Sequence, residues 1–228
     1  MQTRTLLRIG GIGALGVALT QVVGNGLHPP IPGETAAAME VIRQAAGRWI
    51  PVHLTITLSY FLFIPFAVGT AAAFRQRPAA VRVALPLVLV GAGLGAAQIL
   101  THYTIFNQLA AAAVSATSGM DAMLAQTFTV LWDYSVGMEV THLLAIFGSV
   151  LLFGIAMLSE PAFRRWLAFL GIGAGTVAIA GILLGKFVIQ GRTGDLVFGF
   201  GLLPLIVWTV GVGISLLRMR PAGAGGTP

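Results

Sequence analysis

The side chains best suited to chemistry in this chain are four histidines and one carboxylate inside or beside apolar stretches. They are His28, His53, His102, His142 and Glu139. Glu139 and His142 are three residues apart, so on a helix they share a face. Imidazole nitrogens and carboxylate oxygens are ligands for zinc, iron and copper. The sequence therefore predicts a metal site formed by His53, His102, His142 and Glu139.

Two histidines on facing helices can also bind a heme iron from both sides. His53 and His102 form the first candidate pair because they share a predicted depth, and His102 with His142 is the alternative. A di-iron centre is not expected, because such bundle sites use two Glu-x-x-His motifs and this chain has one copy. If these residues bind a heme or a single transition metal, the chain is predicted to be a redox protein that acts on a quinone or another lipophilic small molecule.

Functions without a metal stay open. An ionisable group at membrane depth is a candidate functional group, and Lys186 is a possible partner for Glu139. With Glu139 as general acid and His142 or His102 as its proton partner, the site would suit an isomerase or cyclase acting on an isoprenoid-like lipid. The non-enzymatic alternatives are a small-solute transporter and a structural subunit of a membrane complex. Transporters often consist of repeated halves, and this sequence shows no convincing repeat.

The composition restricts the elements that carry these residues. Hydrophobic residues make up 57% and charged residues 9% of the 228 residues, against about 45–50% and about 25% in soluble domains. The 13 basic and 7 acidic side chains are too few to cover a soluble surface. These values exclude a soluble enzyme and a disordered chain. The absence of cysteine excludes disulfides and thiolate metal sites.

About 20 apolar residues cross a bilayer as a helix, and six segments of the chain qualify. They are predicted at 5–24, 50–74, 83–109, 135–158, 166–189 and 196–217. The predicted fold is an all-α bundle of six transmembrane helices, one domain over 1–220, followed by a disordered tail at 221–228. Outer loops are expected at 25–49, with a short helix over 34–47, and at 115–134, with a turn at 118–119 and a short helix from Met120. Both loops are placed to cover a site between the spans.

Basic residues predict the orientation of these spans. Nine of the 13 lysines and arginines fall on one side: Arg4, Arg8, Arg75, Arg77, Arg82, Arg164, Arg165, Arg218 and Arg220. By the positive-inside rule that side is cytoplasmic, so both termini are cytoplasmic and the histidines lie toward the outer face. The net charge of +6 is thus an orientation signal, and no nucleic-acid partner is expected. The first span is expected to be retained, because no small-x-small cleavage site precedes Asn25.

Glycines recur at spacings typical of close helix packing in the segments 91–95, 171–175 and 181–185. Small residues four apart let membrane helices approach closely. Because several spans share the pattern, packing within one bundle is favoured over a dimer interface. A homo-oligomer or a larger complex stays open.

Two short motifs resemble those of a known group of proteins. Residues 27–30 read Leu-His-Pro-Pro, and Trp49 is followed four residues later by His53. Together with the glycine-rich span that begins at Trp166, they are similar to a diffuse group of bacterial multi-span membrane proteins, often actinobacterial. The resemblance extends loosely over most of the chain. It implies a multi-pass protein of the bacterial inner membrane and carries over no particular activity.

Overall fold

The computed structural model of the chain describes residues 2–113, 118–189 and 192–219, which are helical with short connections and contain no strand. The helices are α1 (Gln2–Leu27), α2 (Thr35–Gln44), α3 (Ala46–Ala72), α4 (Ala79–Thr101), α5 (Asn107–Ala112), α6 (Ser118–Met157), α7 (Arg165–Leu183) and α8 (Arg192–Arg218). Two π-helical turns follow α4 and α7, at His102–Phe106 and Leu184–Val188. The prediction of an all-α fold is confirmed for these residues. The predicted tail at 221–228 lies outside them.

Five helical segments are long and apolar enough to cross a membrane among the described residues. They are Thr3–Leu27, Ala46–Ala72, Ala79–Ala112, Met120–Met157 and Arg165–Val188. The described apolar part of α8, Leu202–Arg218, is shorter. Large apolar side chains are exposed on the outside of the bundle, among them Phe61, Phe169 and Val207. A surface of this kind is suited to lipid, as expected for an integral membrane protein.

The six long helices pack as a closed ring. Following the chain, α1, α3, α4, α6, α7 and α8 each contact the next, and α8 returns to α1. Apolar side chains fill the interior, where the buried rings of Phe66 and Trp208 lie 5.8 Å apart. The ring order places α3, α4 and α6, the helices that carry most of the histidines, side by side.

Glycines allow the close approach of these helices. A Cβ atom at Gly91 would meet the side chain of Ile146, and one at Gly95 would overlap the ring of Tyr60. A Cβ atom at Gly175 would lie 2.8 Å from the backbone nitrogen of Leu151. At these positions the prediction of packing within one bundle is confirmed.

The second predicted outer loop differs from the structure. Instead of a loop over 115–134, helix α6 begins at Ser118 and continues through 40 residues to Met157. At 1.5 Å per residue it is about 60 Å long, twice the hydrocarbon thickness of a bilayer. Its amino-terminal part packs with α2 and α5 into a second apolar core, which includes Ile42, Phe106 and Phe128. We call α2, α5 and the amino-terminal part of α6 the helical cap. The local sequence of this part of α6 is more polar, and apolar partners from distant segments stabilise it as a helix.

The short helix expected over 34–47 is present as α2, at Thr35–Gln44. The Glu34 carboxylate caps it by accepting hydrogen bonds from the backbone N–H groups of Ala36 (3.0 Å) and Ala37 (2.7 Å). These bonds hold the pKa of Glu34 below its ordinary value of 4.5. The buried face of α2, with Met39 and Ile42, packs in the helical cap.

The two ends of the bundle carry different side chains. One end, the histidine end, carries His28, His53 and His102. At the other, the backbone N–H of Arg75 donates to the Glu160 carboxylate at 2.9 Å, and Arg164 and Arg218 line one pocket. We call this the arginine end. Three of the arginines that the sequence assigns to one side, Arg75, Arg164 and Arg218, thus lie at the same end.

Candidate functional site

Three histidines approach one another beneath the helical cap. His28 follows the end of α1, where Pro29 and Pro30 exclude further helix. His53 lies in the second turn of α3, and His102 opens the π-helical turn after α4. The ring centroids of His28 and His53 are 4.9 Å apart, and those of His53 and His102 are 5.4 Å apart. The predicted proximity of His53 and His102 is therefore present, with His28 beside them.

Backbone carbonyl groups fix the tautomers of His28 and His53. The Nδ1 atom of His28 lies 2.8 Å from the Pro29 carbonyl oxygen, and Nδ1 of His53 lies 2.7 Å from the Trp49 carbonyl oxygen. Because a carbonyl oxygen can only accept, each Nδ1 carries the hydrogen and donates it. In the neutral rings, each Nε2 is then left with a lone pair. These two Nε2 atoms lie 3.3 Å apart.

Two nitrogen lone pairs this close repel each other unless both are directed at a shared cation, which can be a proton or a metal ion. Zinc–nitrogen bonds are about 2.0–2.1 Å long, so two nitrogens at a tetrahedral angle lie about 3.3–3.4 Å apart. The separation of the two Nε2 atoms, 3.3 Å, has this value. Histidines that bind metals also donate their other N–H group to a carbonyl or carboxylate oxygen, which both of these rings do. The geometry therefore fits two ligands of one metal ion.

His102 offers a further nitrogen. Its Nε2 lies 2.7 Å from the Ser135 hydroxyl oxygen and 3.3 Å from Nε2 of Gln98. Its Nδ1 is buried and has no hydrogen-bond partner among the described residues. Across that same part of the chain, no three His, Cys, Asp or Glu side chains are placed to hold a metal ion together. The arrangement thus provides two protein ligands, with the lone nitrogen of His102 nearby.

The site is enclosed by aromatic side chains. His53 and Trp49 are fully buried, and their ring centroids lie 4.1 Å apart. The Trp49 indole N–H donates to the His102 carbonyl oxygen at 2.9 Å, and the Trp132 ring stacks on His102 at 5.5 Å. His28 is half-buried, and burial lowers its pKa below 6.5 while the Pro29 carbonyl partly opposes the shift. A neutral imidazole with an available lone pair is favoured by this environment.

The other two predicted ligands make different contacts. The Tyr60 hydroxyl and Nε2 of His142 are 2.8 Å apart, while the His142 Nδ1 lies 3.0 Å from the Met138 carbonyl oxygen. The Glu139 carboxylate forms an ion pair with Lys186 at 3.1 Å, which was the partner suggested by the sequence. Residues three apart on a helix point about 60° apart. That angle lets His142 meet α3 while Glu139 meets the turn after α7.

The residues do not fit the predicted heme. An axial ligand needs a free nitrogen that faces a slot for the macrocycle. The His28 ring lies beside Nε2 of His53 and the Trp49 ring packs against the same imidazole, so no slot for a macrocycle is left there. Both nitrogens of His142 are in contact with other groups. Neither predicted pair, His53 with His102 or His102 with His142, leaves this arrangement open.

Sequence reasoning placed His28 in a loop and left it out of the ligand set. The available signal was its position between the end of a span and two prolines, which fixes the direction of the chain there. That signal does not specify which helix the imidazole meets. The contact with His53 depends on the packing of α1 against α3.

No family model matches this chain, and no curated protein or solved structure does so either. The resemblance to bacterial multi-span proteins therefore stays a prediction. The function has to be argued from the geometry of the site.

Proposed function

We propose that this chain is a six-span protein of the bacterial inner membrane that binds one transition-metal ion through His28 and His53 on the outer side. The observation that carries the proposal is the 3.3 Å separation of the two Nε2 atoms, in two rings that are each fixed by a carbonyl oxygen. His102, whose ring centroid is 5.4 Å from that of His53, is a neighbour of this pair and is not placed as a third ligand. His142 and Glu139 are not part of this proposal.

The proposed orientation is supported by the basic residues at the arginine end, because cytoplasmic loops of membrane proteins carry an excess of arginine and lysine. Helix α8, 27 residues long, supplies the sixth span. We expect a reporter active only in the cytoplasm to work when fused after residue 220 and to be silent when inserted after Gly33. The opposite pattern would place the metal site on the cytoplasmic side and contradict the proposed location.

The ligands suggest which ions suit the site. Imidazole nitrogen binds zinc, copper, iron and nickel. His28, His53 and His102 are neutral donors, and the Glu139 carboxylate pairs with Lys186 instead. Since the cost of burying an ion rises with its charge, monovalent copper has the lower burial cost, while zinc fits the nitrogen separation. Both ions are therefore the probes.

The lipid-isomerase alternative has less support. A general acid must hold a proton that it can give to the substrate. The Glu139 carboxylate is instead engaged by the ammonium group of Lys186 at 3.1 Å. The quinone and transport hypotheses have no specific contact in their favour.

The test is metal binding by the purified full-length protein in detergent after removal of metal with a chelator. Zinc and monovalent copper are titrated separately against a chromophoric competitor. We expect one ion per chain, and at least about tenfold weaker binding in His28→Gln and in His53→Gln. His142→Gln is the matched control, because it removes a buried histidine outside the proposed site. It should bind the metal ion like the wild type.

Three outcomes would overturn the proposal. One is a wild-type chain that binds neither ion, and another is binding that is equal in all variants. The third is His142→Gln lowering the affinity as much as His28→Gln does. His53 is fully buried, so a substitution there also changes the packing of the bundle. His28 lies in the connection outside the helices, and His28→Gln is therefore the decisive variant. Its fold is checked from its melting temperature.

A further inference from the structure

A second candidate site lies at the arginine end, far from the histidines. A pocket of about 390 Å³ opens between the start of α7 and the end of α8. Its lining includes Arg164, Trp166, Gly211, Ser215 and Arg218. It thus combines two cationic groups and a hydroxyl with an aromatic wall.

The two guanidinium groups have no acidic partner in the part of the chain that the structure describes. The ion pairs there are Arg43 with Glu40 and Lys186 with Glu139. Glu160, the acid in the loop before α7, instead accepts hydrogen bonds from the backbone N–H groups of Arg75 and Ala162. Glu160 lies next to Ala162 in the pocket lining, and its single negative charge against two guanidinium groups leaves the pocket with a net positive charge. An anion would complement it.

The wall of the pocket is apolar and continuous with the lipid-facing surface. Gly211 makes room for Trp166: a Cβ atom at Gly211 would lie 3.0 Å from the Trp166 ring and 2.7 Å from Leu167. Trp166 is 49% exposed and Phe169, one turn along α7, is 63% exposed. A soluble anion in the pocket would leave these rings without an apolar partner. A ligand with both an anionic group and hydrocarbon would satisfy both parts of the surface.

We infer that this pocket binds an anionic phospholipid, with the phosphate between Arg164 and Arg218 and an acyl chain along Trp166 and Gly211. Basic pockets between membrane helices on the cytoplasmic side bind anionic headgroups in this way. The Ser215 hydroxyl donates its hydrogen to the Gly211 carbonyl oxygen at 2.8 Å, so the two guanidinium groups are the donors to the phosphate oxygens. The site does not depend on the metal site, so either can fail while the other holds.

The experiment uses the full-length protein in vesicles and measures quenching of Trp166 fluorescence by brominated lipids. Brominated phosphatidylglycerol is compared with brominated phosphatidylcholine, and the signal of the other tryptophans is subtracted with Trp166→Phe. We expect phosphatidylglycerol to be preferred about fivefold or more, since each arginine near an anionic surface contributes about that factor. The preference should fall to about one in Arg164→Gln/Arg218→Gln.

The matched control is Arg77→Gln/Arg82→Gln, which removes the same charge from exposed positions at the arginine end. It should keep the preference. Equal quenching by both lipids in the wild type would overturn the inference, as would an equal loss in the control. Inorganic phosphate at millimolar concentration should not compete. If it abolished the preference, the site would be one for a soluble anion and the lipid proposal would be wrong.

Discussion

The contact between α1 and α3 makes a quantitative prediction about Gly69→Ala. A Cβ atom at Gly69 would lie 2.5 Å from Cα of Gly10 and 2.7 Å from the carbonyl oxygen of Leu6. Both neighbours are backbone atoms, so no side-chain rotation can relieve the overlap. Ordinary contacts begin near 3.4 Å, so α1 would have to move away by roughly 1 Å.

The matched control is Gly93→Ala. Gly93 is also helical, and no heavy atom lies within 4 Å of its missing Cβ. In both variants alanine stabilises the helix over glycine by about 1 kcal/mol. Overpacking, present only at Gly69, costs about 1–3 kcal/mol. The shared helix term cancels in the comparison, so Gly69→Ala should be less stable than Gly93→Ala by about 1–3 kcal/mol.

The assay is unfolding of the purified protein in mixed micelles, followed by circular dichroism against the mole fraction of denaturing detergent. For a chain of this size the difference corresponds to melting temperatures about 2–12 °C apart. If Gly69→Ala proved as stable as Gly93→Ala, the close approach of α1 and α3 at Gly10 would be refuted. Gly10→Ala provides a second check. Combined with Gly69→Ala it should cost less than the sum of the two, because the first substitution has already separated the helices.

Two further predictions concern hydrogen bonds. Tyr60→Phe should lower the free energy of unfolding by about 1–2 kcal/mol in the same assay, because it leaves Nε2 of His142 buried without its partner. The control is Tyr134→Phe, at a 63% exposed position, which should leave the free energy of unfolding unchanged. Because the pKa of Glu34 is lowered by its backbone hydrogen bonds, its stabilisation of α2 should be complete above pH 4.5 and lost as the pH falls through the lower value in the folded protein. The protection factor of the Ala36 amide against exchange, measured over roughly pH 3 to 6, should show this loss. Glu34→Gln should remove the pH dependence of that protection factor, and an unchanged profile in the variant would contradict the capping role.

The amino-acid sequence determined the features that depend on short stretches of chain. A low content of charge and long apolar runs predict membrane helices, because lipid requires each segment to satisfy its own backbone. The cap of α2 is equally local, since Glu34 binds N–H groups two and three residues away. The arginine end was also predictable, because basic residues recur between the predicted spans. The pairing of Glu139 with Lys186 was suggested by their depth alone.

Tertiary structure decided which side chains meet. Sequence spacing placed Glu139 and His142 on one face of a helix, yet the neighbouring helices separate them: Tyr60 contacts His142, while Lys186 contacts Glu139. Likewise, the continuous helix at 118–134 depends on apolar partners from α2 and α5.

The contact of His28 with His53 was equally beyond the sequence. It requires α1 and α3 to pack at a distance and rotation set by residues such as Gly10, 18 residues before His28, and Gly69, 16 residues after His53. Helix rotation and separation result from the sum of many contacts between distant segments. The sequence pattern gives the depth of a residue in the membrane. Which residue its side chain contacts depends in addition on its direction around the helix axis and on the position of the neighbouring helix.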